Sequence, residues 1–348
     1  MLDENFVEEE LEVLDAAINP SDNGPDLASY SKILCAVSGG KDGLASLLLL
    51  LEAGVPREKI EIHHHLVDGM GPTFMDWPVS KSYVDCLGAA FGIPVLHSWR
   101  NGGFLKEMLR DNEATAPVSF QTLDGGLVTV GGERGPKGVR RKFPQVTANL
   151  QQRWCSSALK IDVFARILTN DPRFHGQRVL VVTGERAEES AARAKYAVFE
   201  RHRADLRNGR KVTRHIDHWR PVHAFSEAQV WEVLKRHRVR PHPAYWLGWN
   251  RMSCRNCIFS GPNEWATVRL HMPEAFAPVA EYEREFGFTI QHKESVDEQA
   301  DRGVPHICQL EMLLLADSKT YYAEIIVPES EGTWQHPPGA FKKGNGPC

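Results

Sequence analysis

"LCAVSGGKDGLASLLLLLEAG" runs from Leu34 to Gly54. Ile33-Leu34-Cys35-Ala36-Val37 has the length and composition of a buried parallel strand. A Ser-Gly-Gly turn follows, then a Lys-Asp pair, then a Leu-rich segment from Ala45 to Leu51 that suits the core face of a helix. Gly39 and Gly40 permit a tight strand-to-helix connection and leave backbone N–H groups exposed. A helix N-terminus adds partial positive charge, so phosphate is the natural guest of such a turn. The spacing G-x-x-x-x-G-K-[ST] is absent, which excludes a Walker A loop. A glycine turn after a strand is also an ordinary connection, and the rest of the chain has to decide between the two.

The chain has 348 residues, 25% of them charged, and a net charge of −4. This excludes a globally basic nucleic-acid coat but leaves room for a local basic groove. No apolar run has the length of a membrane span, so no membrane partner is expected. The N-terminal "MLDENFVEEELEVLDAAI" is acidic, lacks the parts of a signal peptide, and has apolar positions that suit an amphipathic helix. A cytoplasmic protein is expected. Seven cysteines, an odd number in a reducing compartment, argue against a disulfide framework. Cys35 and Cys86 lie in apolar surroundings and read as small buried hydrophobes.

Outward from the opening turn, strands are expected at Ile60 to Val67, Pro94 to His97 and from Arg178, with helices at Ser80 to Phe91 and Glu227 to Arg238. Alternating strands and helices imply an α/β fold with a parallel sheet. Ligands of such sheets sit at the C-terminal strand ends. Ser38-Gly39-Gly40, Asp68-Gly69 and Gly184-Glu185-Arg186 fall there. Thr115 to Pro144 is irregular and reads as a long loop or small hairpin insert. The expected organisation is an N-terminal helical extension (1–30), a nucleotide-binding domain (31–225) with an insert near 115–145, a helical cysteine-bearing region (226–328) and a tail (329–348).

Cys254-Arg255-Asn256-Cys257 is a C-x-x-C, open by itself to redox, zinc or iron–sulfur readings. A thioredoxin-like context is missing. Cys155, in "RWCSSALK", is the best distant partner. Three thiolates from two distant segments suit a cubane 4Fe-4S cluster, with zinc as the alternative. Cys308 could supply a fourth ligand, or one iron could stay open. Arg153 and Lys160 flank Cys155 and add positive potential. Trp246 and Trp249 precede the C-x-x-C and would shield a cluster or offer a stacking surface. His63-His64-His65 looks like a metal triplet, but strand alternation sends His64 to the opposite face from the other two.

"SGGKDG", "FPQVTANLQQRWCSSALK", "VVTGERAEESAARAK", "WRPVHAFSEAQVWEVL" and "HPAYWLGWNRMSCRNCIFS" occur in this order between Leu34 and Trp265. Together they resemble the phosphoadenosine phosphosulfate (PAPS) reductase-like branch of the PP-loop ATP pyrophosphatases, DNA phosphorothioation proteins among them. The resemblance implies a five-stranded parallel sheet flanked by helices, with a mostly helical, cysteine-bearing C-terminal extension. It implies a site for an adenine nucleotide, ATP with Mg²⁺. Ser38, Gly39, Gly40, Lys41 and Asp42 match the PP-motif, and Gly43 stands where a second Ser is common. Asp68 matches the acidic residue after the second strand. Gly184, Arg186, Glu189, Ser190 and Arg193 match the family's G-x-R-x-x-E-S-x-x-R signature. The implied catalytic set is Ser38, Lys41, Asp42 and Arg186, with Cys155, Cys254 and Cys257 as the metal ligands.

Arg193 to Arg220, and "RGPKGVRRK" from Arg134 to Lys142, are basic against an acidic whole. Such stretches suggest a polyanionic substrate. The expected function is an ATP pyrophosphatase that adenylates an acceptor for sulfur transfer. A nucleic acid is the expected acceptor, and a partner such as a cysteine desulfurase the sulfur donor. A sulfonucleotide reductase is the alternative. Against it, Trp154-Cys155 stands where the cluster-bearing reductases carry tandem cysteines, and their Glu-Cys-Gly-Leu-His motif is missing. A nucleotide-binding regulator without turnover is the third reading.

Overall fold

The computed structural model describes residues 24–132, 135–252 and 254–342. The expected N-terminal helix, Arg134 and the end of the tail with Cys348 lie outside the described residues.

β1 (Lys32–Ala36) leads into α1 (Lys41–Glu52), then β2 (Ile60–His65), α2 (Ser80–Phe91) and β3 (Val95–Arg100). A short helix, α3 (Gly103–Met108), precedes the hairpin β4 (Val118–Gln121) and β5 (Leu127–Val130). The next helical stretch starts at Trp154–Ser156, passes through a π-turn at Ser157–Ile161 and continues as α4 (Asp162–Asn170). β6 (Arg178–Val182), β7 (Phe199–Arg201) and β8 (His215–Trp219) complete the sheet. Then come α5 (Glu227–Arg236), α6 (Pro243–Trp246), α7 (Pro262–His271), α8 (Pro273–Phe286), α9 (Val296–Arg302) and α10 (Leu310–Asp317).

The sheet order is β5-β4-β3-β2-β1-β6-β8-β7. The five strands β3-β2-β1-β6-β8 are mutually parallel, as expected. The sheet is nevertheless larger than five strands. The insert near 115–145 forms the β4–β5 hairpin, which pairs antiparallel with β3, and β7 closes the far edge antiparallel to β8. Unpaired strand edges expose N–H and C=O groups, and local hairpins are the cheapest way to cover them.

Alternation along the strands builds two cores. Ile33 and Cys35 face a large core with Leu44, Leu47 and Leu48 of α1, Tyr83 and Leu87 of α2 and Val230 and Leu234 of α5. Leu34, Val179 and Val181 face the other side, under Val163, Phe164 and Ile167 of α4. The first core runs on through the C-terminal helices to Trp334, so these helices complete the covering of the sheet. No helix among the described residues is long and apolar enough to cross a membrane.

The chain leaves β1 to build β2 and β3 on one side and returns to place β6 and β8 on the other. β1 and β6 therefore flank the switch point, where the loops after adjacent strands diverge and open a crevice.

Candidate active site

A cleft of about 380 Å³ opens between the loops after β1 and β6. Ser38, Gly40, Asp42 and Gly43 form one wall. Thr183, Gly184, Glu185, Glu189 and Arg193 form another. Gly39 has φ +91°, in the left-handed region that favours glycine. The N–H of Lys41 donates to Tyr245 Oη at 3.0 Å. The N–H groups of Gly39, Gly40, Asp42 and Gly43 reach no acceptor among the described residues. Together with the N-terminus of the twelve-residue α1 they form a concave set of donors with the geometry that an anion needs. Ser38 is exposed at its mouth.

Two glycines are fixed by close approach. A Cβ on Gly184 would lie 2.4 Å from the carbonyl carbon of Asp42 and from the nitrogen of Gly43. The β6 loop thus packs directly on the first turn of α1. A Cβ on Gly43 would lie 3.1 Å from the Ala36 carbonyl oxygen, so a serine there would press against β1.

Behind the cradle is a buried ionic knot. Arg186 Nε donates to Asp42 Oδ1 at 2.5 Å, and its Nη1 bonds Glu188 and the Phe225 carbonyl. Lys41 Nζ lies 3.3 Å from Asp42 and 3.7 Å from Glu227, close to the rings of Trp231 and Tyr245. Burial works to raise the Asp42 carboxyl, but Lys41 and Arg186 outweigh it and hold it below the usual range. The Lys41 and Arg186 side chains therefore face this knot and do not line the cleft.

The cations that line the cleft are Arg153, Lys160, Arg193 and Arg251. Arg193 pairs with Glu189, whose Oε2 also accepts the Arg186 N–H. Lys160 forms no salt bridge among the described residues and sits at the end of the π-turn, a feature often found at functional sites. His63 and His65 line the floor beside Phe164, while His64 packs on His97. The alternation argued from the sequence thus separates the triplet. No group of three His, Cys, Asp or Glu side chains among the described residues is arranged around a single metal ion.

Asp68 lies outside the cleft. Its Oδ2 accepts the N–H groups of Phe74, Met75 and Asp76, each at 2.9 Å. That loop in turn receives the C-x-x-C loop. Asn256 N–H donates to the Met75 carbonyl, and Asn256 Nδ2 to the Phe74 carbonyl. Asp68 therefore orders the backbone on which the C-x-x-C rests.

Cys155 lies near Cys257 of the C-x-x-C, but the three thiols do not form a group that could hold a metal ion among the described residues. Burial pushes the Cys155 thiol up to about 11, Cys257 adds to the shift, and Lys160 and Arg153 oppose it. Burial also raises Cys254, with Asp76, Cys257 and Asp68 adding negative charge and Lys160 opposing. All three thiols are free. Arg153, Ser156, Lys160 and Phe259, close to these cysteines in the chain, line the cleft, whereas none of the three cysteines is among its lining residues. Cys308 stands apart, donating to the Leu247 and His306 carbonyls. Trp249 is buried edge-on against Trp77, a packing role.

The motifs that contain Thr183, Glu185 and Arg220 assign no role to them, yet these residues support the β6 loop. Arg220 binds Glu185 at 2.8 Å and Glu200 at 2.8 Å, and Thr183 Oγ1 bridges Glu185 and His218. The insert also differs from expectation. Arg140 binds Glu107 at 2.7 Å and stacks on Trp154, and Arg141 binds Glu285 at 2.5 Å. These two arginines are turned to protein carboxylates instead of forming a rim.

Residues 133–260 match the family model of the phosphoadenosine phosphosulfate reductase domain. The match contains Cys155, Gly184, Arg186, Arg193, Cys254 and Cys257, and begins after the Ser38–Asp42 turn. An uncharacterized 37.8 kDa protein of Escherichia phage 186 is 28% identical over 270 residues, 72% of this chain and 74% of that protein. Among solved structures, Candida glabrata FMN adenylyltransferase with FAD and inorganic pyrophosphate superposes with a TM-score of 0.42 at 12% identity, covering 93% of this chain and 88% of that one. The tRNA thiolase NcsA of Methanococcus maripaludis, with its 4Fe-4S cluster, gives a TM-score of 0.39 at 14% identity, covering 84% and 82%. Residues 133–260 are thus similar to the phosphoadenosine phosphosulfate reductase domain, the branch that the motifs resemble.

Proposed function

We propose that the protein cleaves ATP between its α- and β-phosphates to adenylate an oxygen of an acceptor, and that sulfur then replaces this oxygen. The acceptor oxygen attacks the α-phosphorus, the α–β anhydride bond breaks, and pyrophosphate leaves with the bonding electrons. A sulfur nucleophile then attacks the acceptor atom that carries the adenylate, and AMP departs. Adenylation matters because a bare oxygen is a poor leaving group. One observation carries this reading: a turn with unsatisfied N–H groups at a helix N-terminus opens into a cleft whose lining includes Ser156 and Phe259, close in sequence to Cys155 and Cys257.

In this reading the N–H groups of Gly39, Gly40, Asp42 and Gly43, the Ser38 hydroxyl and the α1 dipole hold the pyrophosphate end. Asp42, Arg186 and Lys41 fix the cradle from behind. Arg193 and Lys160 offset the phosphate charge. Asp42, Glu185 and Glu189 are the carboxylates that line the cleft, and Mg²⁺ arriving with ATP would share them with Arg186, Arg220 and Arg193. Cys155, Cys254 and Cys257, flanked by Lys160 and Arg153, are the residues that the sequence offers to an anionic centre. They would hold a 4Fe-4S cluster, which supplies an iron able to carry sulfide; zinc is the alternative. The expected acceptor is nucleic acid, of the DNA phosphorothioation or tRNA thiolation kind, with a cysteine desulfurase as sulfur donor.

The family match favours a second reading, reduction of a sulfonucleotide to sulfite. That chemistry needs an attacking thiolate beyond the cluster ligands, and the tandem cysteines and the C-terminal motif are both missing. The test is pyrophosphate release from ATP by anaerobically purified protein, with and without nucleic acid, beside sulfite release from adenylylated sulfate with a thiol reductant. Pyrophosphate supports the proposal, sulfite selects the reductase, and neither points to a nucleotide-binding regulator. Broad absorption at the blue end of the visible spectrum would identify the cluster.

A further inference from the structure

The segment 193–214 carries eight Lys or Arg residues against two carboxylates in a chain whose net charge is −4. The structure removes both carboxylates from the surface balance. Glu200 is bound by Arg220, and Asp205 by Arg207 and the Ile216 N–H. Asp217, the nearby acid on β8, is bound by Arg207, His215 and Tyr30. Lys195, Arg201, Arg203, Arg210 and Lys211 are exposed and form no salt bridge among the described residues. The pairing therefore turns a mixed sequence into a surface of one sign.

The topology lines these cations up with the cleft. Arg193 and Tyr196 line its mouth, and Tyr196 is 41% exposed, with the Arg220 guanidinium over one face of its ring. From there the chain enters β7, the outermost strand, which runs antiparallel to β8 and so away from the C-terminal end of the sheet. The turn that follows reaches the opposite end, where Gly176 N–H binds the Thr213 carbonyl. At ~3.3 Å per extended residue, Lys195 to Arg203 spans up to about 25 Å. One strand of a duplex presents a phosphate every ~3.4 Å, so the edge faces at most about seven phosphates.

We propose that this edge, from Lys195 through Arg203 to Lys211, is the docking track for a polynucleotide backbone, and that it delivers the acceptor to the cleft past Tyr196. The proposal rests on the nucleic-acid reading above and gives it a surface. A polynucleotide fits better than a membrane, because no amphipathic helix lies in the segment. It fits better than a folded protein, because the exposed apolar side chains there, Val198 and Leu206, are scattered among charges. Tyr196 at the cleft mouth offers a stacking face for a base.

The test uses the full chain without ATP and follows the fluorescence anisotropy of labelled DNA and RNA of about 30 nucleotides, single-stranded and duplex, across a salt series. Arg201→Gln, Arg203→Gln and Arg210→Gln are combined in one variant. Lys106→Gln with Lys319→Gln is the control, and unfolding midpoints check the fold. The wild type should bind with a steep salt dependence. The triple variant should bind at least 10-fold more weakly at low salt, with a log–log slope flatter by about 0.9 for each phosphate no longer neutralised. The control should behave as wild type. A triple variant that binds like wild type overturns the track while leaving a nucleic-acid acceptor in place. A wild type with no salt-sensitive binding to any of these probes overturns both the track and the nucleic-acid acceptor, and pyrophosphate release from ATP alone then judges the adenylation chemistry separately. Binding to anionic vesicles instead of polynucleotides replaces the proposal with a membrane surface.

Discussion

Two stretches of this chain look alike in sequence and differ in what they do. The insert at 135–142 and the edge segment at 193–214 are both rich in Arg and Lys. In the insert, Arg140 and Arg141 meet Glu107 and Glu285 and stack on Trp154 and Phe286. In the edge segment, Arg207, with Arg220 just beyond it, meets the carboxylates, and five other cations are left facing water. A basic run is a surface for a polyanion only when its own protein has not already neutralised it. Which acid reaches which arginine is a matter of sheet position, since Glu107 sits on α3 and Glu285 on α8.

The largest test of this contrast uses acid, because it attacks the interior and spares the track. His64, His65, His202, His218 and His242 are held neutral by burial, His64 well below the ordinary value, His202 at about 4 and the other three at about 3. Their unfolded counterparts take up protons near 6.5. Their folded values are depressed, so the stability they contribute is complete above pH 6.5 and is lost as pH falls toward 3–4. Each histidine costs up to about 2 kcal/mol of stability by pH 5. Urea midpoints measured from pH 8 to pH 4.5 should fall steeply below pH 6, with several protons taken up on unfolding. Arginine and lysine do not titrate there, so polynucleotide binding should persist until the fold is lost. A flat stability profile would show that these rings have access to water.

Next in size is a matched pair of truncations. Arg140→Ala strands the buried Glu107 carboxylate with Arg110 at 3.8 Å as its remaining partner and removes the stacking on Trp154. A loss of about 3 kcal/mol is expected, at the low end for a broken buried pair because Arg110 compensates in part. Arg201→Ala touches no such partner and should leave the unfolding midpoint where it is. Equal midpoints for the two variants would erase the distinction between the stretches.

The smallest effects sharpen the same distinction inside the cleft. Ser38 is exposed, whereas Asp42 stands between Lys41 and Arg186. Ser38→Ala should weaken ATP binding by roughly 1–2 kcal/mol, about 10-fold, with no change in stability. Asp42→Ala should destabilise the protein as well, because two buried cations lose their shared carboxylate. Asp42→Asn, which keeps a hydrogen bond to Arg186, should recover part of that loss. Isothermal titration with ATP alongside urea unfolding separates the two effects. Reduced stability in Ser38→Ala would mean that its hydroxyl supports the turn itself.

The parallel core and the glycine turn after β1 were legible in the chain because their signals are local. Apolar runs of strand length around Leu34 and Val181, and glycines where β1 and β6 end, depend on neighbours a few residues away. The helix Ser80–Phe91 falls where its periodicity puts it. That Cys155 and Cys257 lie near one another could be suspected from residue type alone, since thiols from distant segments can share a centre.

What lay out of reach were the partners of charged groups. Arg186 and Lys41 matched a signature, yet their side chains turn to Asp42, Glu188 and Glu227 behind the turn. Asp68 matched a ligand position, yet its carboxylate collects three N–H groups of the loop that carries the C-x-x-C. Nothing in the sequence around Gly43 shows that α1 approaches β1 too closely for an easy Cβ. Backbone conformation and burial are set mainly by short-range sterics and apolar periodicity, which a sequence displays. Charge pairing depends on distances of a few ångströms between residues up to 186 positions apart, the separation of Lys41 from Glu227. Only the folded chain fixes those distances, and they decide which side chains a ligand can still reach.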